Sequence, residues 1–91
     1  MNNLEILKKA INTYGINSQL DMAVEEMSEL TKEICKKKRG KDNHSEIMEE
    51  MADVYIMLEQ LKMIFLIDED EINEVIDVKV DRLKERLEKD Y

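Results

Sequence analysis

No proline interrupts this chain of 91 residues, and glycine occurs only at Gly15 and Gly40. Leu, Ile, Met, Glu and Lys dominate the remainder, which is a helix-forming composition. A chain with so few breakers is expected to run as one helix after another. Its hydrophobic fraction, 43%, is too high for a disordered polyelectrolyte even though 40% of residues are charged. The length allows one domain, residues 1–91, and a core thin enough that oligomerisation is expected to complete it.

Periodicity divides the chain into four helices. In the first, over residues 3–14, Leu4, Leu7, Ile11 and Tyr14 share a stripe, Asn2 or Asn3 caps the start, and Gly15 closes the end. Ser18 reads as the N-cap of the second, whose stripe is Leu20, Ala23, Val24, Met27, Leu30, Thr31 and Ile34, with Gly40 ending it. Asn43 with Glu46 resembles a capping box for a third helix reaching about Leu66. Its main stripe is Ile47, Met51, Val54, Leu58, Leu61 and Phe65. Asp68 with Glu71 caps a fourth, to about Lys89, with Ile72, Val75, Ile76, Lys79, Val80, Leu83 and Leu87 inside.

Two acidic turns stand out, Glu25-Glu26-Met27-Ser28-Glu29 and Glu50-Met51-Ala52-Asp53. Each places carboxylates one helical turn apart, on one side of its helix. An antiparallel hairpin of helices two and three would bring Glu26, Glu29, Glu50 and Asp53 to one point. Like charges that close repel unless a hard cation such as Mg²⁺ lies among them. On helix two alone, Glu26 lies at the edge of the stripe, and Glu29 and Glu33 lie farther round, as on a solvated face. Glu50 and Asp53 share a flank with Met57, Leu61 and Ile64, where an acidic pair is costly unless compensated. Salt bridges to lysines are one compensation and a metal ion is the other.

A net charge of −8 argues against a nucleic-acid polymer as partner. The one basic run, Lys36-Lys37-Lys38-Arg39 with Lys41, lies at a helix end, where cations offset the dipole or contact a phosphate. Cys35 is the single cysteine, so no internal disulfide forms and a reducing compartment is expected. No apolar run approaches the roughly 20 residues of a membrane span, and no signal-peptide segment opens the chain; a cytoplasmic protein is expected. His44, the one histidine, reads as a surface loop residue. Glu-x-x-His pairs of a di-iron bundle are absent, and Tyr14, Tyr55, Phe65 and Tyr91 are too scattered to stack bases.

Glu-Glu-x-x-Glu, a gap of some twenty residues and then Glu-x-x-Asp resembles the MazG-like, all-α nucleoside triphosphate pyrophosphohydrolases, over roughly residues 14 to 87. The resemblance implies a four-helix MazG-like bundle whose central hairpin carries the acids, completed as a homodimer or homotetramer. It implies Mg²⁺-dependent hydrolysis (Mn²⁺ as a substitute) of nucleoside or deoxynucleoside triphosphates to monophosphate and pyrophosphate, a house-cleaning role. Glu26, Glu29, Glu50 and Asp53 fall on the family's metal ligands, and Glu25 on the first glutamate of its motif. Glu25 or Glu29 would then orient the attacking water or take its proton. Lys79-Val80-Asp81-Arg82 looks like the Lys-x-x-Arg that faces the triphosphate, with Arg86 a further candidate. Two other readings use the same acids without turnover: an acidic helical module for a protein partner, and a nucleotide or metal sensor.

Overall fold

A computed structural model describes residues 1–90, with side chains described to Lys89; Tyr91 lies outside them. The chain forms α1 (Asn3–Tyr14), α2 (Ile16–Lys38), α3 (His44–Ile64) and α4 (Glu69–Asp90), and no strand occurs among the described residues. The expected all-helical class is present.

The helix ends follow local chemistry at most points. Asn2 caps α1, its Oδ1 accepting from the Glu5 amide at 2.8 Å. A reciprocal pair opens α4: the Glu71 amide donates to Asp68 Oδ1 at 2.8 Å, and the Asp68 amide to Glu71 Oε1 at 3.3 Å. Gly40 adopts φ +91° after α2, and the Lys41 amide reaches back to the Lys36 carbonyl at 3.1 Å, a Schellman closure. The same closure ends α3 on a non-glycine: Leu66 takes φ +56° while the Ile67 amide donates to Lys62 O at 2.9 Å. The break at Ile64 comes two residues before the expected end.

Two expected caps are not used. Gly15 sits at φ +94°, ψ 153°, a region open essentially to glycine alone, and turns the chain so sharply that α2 begins at Ile16. Ser18 therefore lies inside the first turn of α2 and caps nothing. Asn43 does precede α3, but its side chain makes no capping bond to that helix. It is drawn across to α2, as described below. His44 is the first residue of α3, and it is exposed.

α2 and α3 form an antiparallel hairpin, joined over residues 39–43, and α1 lies against both. Gln60 on α3 ties α1 down by donating to the Leu7 carbonyl at 3.3 Å. α4 packs against none of the other three helices along its described length. Its side-chain tie is Lys62, which donates to Glu69 and also pairs with Glu59 at 2.8 Å. These two carboxylates hold the Lys62 ammonium above its ordinary pKa. The projecting helix makes the chain long, 51 × 36 × 23 Å, with a radius of gyration of 16.5 Å. A compact chain of this length would have about 12 Å.

The packed faces take in only part of the apolar stripes. On α2 the buried and half-buried positions are Gln19, Leu20, Ala23, Glu26, Glu29, Leu30, Glu33 and Lys36, whereas Val24 is 67% and Ile34 47% exposed. On α3 the seam holds Glu50, Asp53, Met57 and Gln60; of the main stripe Ile47, Val54 and Leu61 are half-buried, while Met51, Leu58 and Phe65 are exposed. The expectation that helix two buries Val24, Met27 and Ile34 is corrected for the single chain. Periodicity marks which residues share a face, but it does not say which face the neighbouring helix takes. Ile11, Ala23 and Met57 are the buried apolar residues, and no described side chain is fully enclosed.

Candidate metal centre

The α2–α3 seam carries polar residues at intervals of seven. Gln19, Glu26 and Glu33 follow one another on α2; Asn43, just before α3, and Glu50 within it have the same spacing, as do Asp53 and Gln60. Seven residues are close to two helical turns, so all of them point into the seam. At its middle, one carboxylate oxygen each from Glu26, Glu50 and Asp53 lies within 4.8 Å of the other two. All three side chains are half-buried. The acids that periodicity places on an apolar flank of α3 are thus brought against Glu26. Among the described residues, no lysine pairs with them.

This trio is a candidate cation site. The Oε2 atom of Glu50 is buried and accepts no hydrogen bond, an arrangement that is costly for an anionic acceptor. The Glu26 carboxyl is pushed up from 4.5 to about 7. Burial is the largest cause; the charge of Asp53, hydrogen bonding with Glu50 and Asp53, and the charge of Glu50 follow. In the absence of a cation the group answers crowding by keeping a proton. Three carboxylates converging without a basic partner suit a hard divalent ion, which takes oxygen ligands and fills its remaining positions with water or phosphate.

The other expected site residues are placed differently. Glu29 lies one turn beyond Glu26 and is half-buried, but it is not among the three acids that converge. Glu25 is exposed. Lys79, Arg82 and Arg86 are exposed on α4, which does not approach the acidic turns within one chain. The basic run flanks the hairpin turn, where Lys36 binds Glu33 at 3.2 Å.

Glu33 is the residue whose role sequence reasoning missed. Expected on a solvated face, it is buried. Its Oε2 accepts from Asn43 Nδ2 at 2.7 Å, and its main-chain oxygen accepts from the same nitrogen at 2.9 Å. The Asn43 and Lys36 hydrogen bonds hold its pKa below the ordinary value. Its seven-residue spacing from Glu26 is the signal that could have found it.

A pH dependence follows from Glu26. Its folded pKa is raised, so without metal the folded state holds a proton that the unfolded state has released between pH 4.5 and about 7. That stabilisation is complete below 4.5 and is lost as pH rises through about 7. Discounted for partial exposure, it amounts to about 1–2 kcal/mol. Urea melts in EDTA should therefore show greater stability at pH 5 than at pH 8, and Glu26→Gln should shrink that difference. An equal difference in both proteins would contradict the assignment. Glu33, with a lowered pKa, works in the opposite sense and only below the ordinary carboxylate range.

Set against known protein families, curated proteins and solved structures, the chain matches none of them.

Proposed function

We propose that this chain is a Mg²⁺-dependent nucleoside triphosphate pyrophosphohydrolase of the MazG-like kind. The observation that carries the reading is the meeting of Glu26, Glu50 and Asp53 in the hairpin seam, with a buried Glu50 oxygen left without a partner. A divalent ion held there would supply charge stabilisation for a phosphate and lower the pKa of an attacking water. Phosphoryl transfer asks little covalent chemistry of a protein and much positioning. Glu26, Glu50 and Asp53 serve as ligands. Glu29, one turn away and half-buried, or the exposed Glu25 on the same helix, would orient water or accept its proton.

The reading also needs more than one chain. A folded monomer of 10.8 kDa exposes about 5,500 Å². This chain exposes 7528 Å². The excess, about 2,000 Å² per chain, is of the size that obligate homo-oligomers bury. Val24 and Ile34 on α2 and Val75, Ile76, Val80, Leu83 and Leu87 on α4 are the surfaces available for it. In a homodimer or homotetramer assembled through them, α4 of one copy can deliver Lys79 and Arg82 to the acidic turns of another. There they would balance charge on the leaving pyrophosphate. An acidic adaptor would use the same exposed stripes, but it has no use for an unpartnered Glu50 oxygen inside the seam.

The test is an assay of pyrophosphate release from a panel of ribo- and deoxyribonucleoside triphosphates with Mg²⁺. Release that EDTA abolishes supports the proposal; no release from any triphosphate opposes it.

A further inference from the structure

We propose that Glu33 and Asn43 are positioning residues, a buried lock on hairpin register that keeps Glu26, Glu50 and Asp53 together in the seam. The inference rests on the metal-site reading above. Both residues are buried, Glu33 at 9% and Asn43 at 4% exposure. Asn43 Nδ2 spans two acceptors of one residue, Glu33 Oε2 at 2.7 Å and the Glu33 main-chain oxygen at 2.9 Å. The amide is therefore fixed both to a side chain and to the backbone of the opposite helix.

The arrangement is costly in local terms. Asn43 gives up capping α3, and its Oδ1 is buried without a partner. A carboxylate has been taken out of solvent to meet it. Apolar residues would fill the same space at less cost, and they would tolerate sliding, whereas a paired polar layer in a helical seam specifies one register.

Register matters here because of what lies along the seam. Glu33 comes seven residues after Glu26 on α2, and Asn43 seven residues before Glu50 on α3. In an antiparallel hairpin these two steps run in the same direction, so the lock lies about two turns, roughly 10 Å, from the acids. Sliding one helix by a single turn, about 5.4 Å, would take Glu26 out of reach of Glu50 and Asp53. The lock keeps the three carboxyl groups together before any cation arrives.

Asn43→Ser separates positioning from general stability, because serine is itself a good cap for α3 yet too short to span to Glu33. Glu33→Gln is the conservative partner: its amide still accepts from Asn43 Nδ2 and can donate to the orphaned Oδ1. Mn²⁺ affinity of the full chain, read by electron paramagnetic resonance, is expected to fall tenfold or more in Asn43→Ser with helix content unchanged. Glu33→Gln should bind as the unaltered protein does. Equal affinity in Asn43→Ser would overturn the proposal. A second readout needs no metal. Spin labels at the exposed Ser28 and Met48, in a Cys35→Ser background diluted with unlabelled chain, report hairpin register directly. The distance distribution should be narrow in the parent and in Glu33→Gln, and broad or displaced in Asn43→Ser. Should the parent bind no Mn²⁺, the metal reading fails by itself, and the label distances still decide the lock: an unchanged distribution in Asn43→Ser sinks it.

Discussion

Glu50→Gln is expected to abolish Mg²⁺-dependent pyrophosphate release while leaving the helices intact. The substitution keeps the shape of the side chain and removes one of three charges lying within 4.8 Å of one another. It also replaces the buried Oε2, the atom with no partner of its own, by whichever amide atom the seam accepts. A bound cation contributes several kcal/mol of charge stabilisation, so losing it should lower turnover by about 10³-fold. Stability should move the other way in metal-free buffer. Glu50 is one of the groups that push the Glu26 pKa up to about 7, and a neutral neighbour relieves that repulsion. A gain of about 1 kcal/mol in EDTA is the expected size. Lower activity with unchanged or higher stability is the pattern of a functional charge; full turnover in Glu50→Gln would remove the site from consideration.

Val24→Lys is expected to be severe for a residue that is 67% exposed in the single chain. On a free surface, a change of this kind stays within about 0.5 kcal/mol. In an interface it places an unpaired charge against apolar neighbours, which costs several kcal/mol. Sedimentation at micromolar concentration should show the parent as a dimer or larger. Val24→Lys should sediment as monomer with reduced helicity, because α1 to α3 enclose so little. An unaltered melting curve and a monomeric parent would together show that the stripe faces water.

The sequence revealed most where the signal is local. The caps of α1 and α4 lie within three residues of their partners, as Asn2 with Glu5 and Asp68 with Glu71, and both are used. The meeting of Glu26 with Glu50 and Asp53 was also legible, because an acidic pair on an apolar flank is expensive enough to demand a partner. What failed depended on contacts between helices. Asn43 and Glu46 have the spacing of a capping box, but a carboxylate ten residues earlier competes for the Asn43 side chain and wins it. Glu33 looked solvated because its own helix offers it no burial. The inner face of α2 was legible only in part: Leu20, Ala23 and Leu30 of its expected stripe are covered, but Val24, Met27 and Ile34 of the same stripe are exposed. The place of Lys79 and Arg82 depends on how α4 docks, and no pattern within α4 states that.

The central claim, that the α2–α3 seam is built to hold a divalent cation, is tested most directly by calorimetric titration of Mg²⁺ into the metal-free protein at pH 6 and pH 8. Glu26, with its pKa near 7, must give up a proton for the ion to enter. The account predicts one saturable class of site that tightens between the two pH values, releases protons at pH 6, and disappears in Asp53→Asn. Heats that never saturate, or saturable binding that survives Asp53→Asn with no pH dependence, would contradict it.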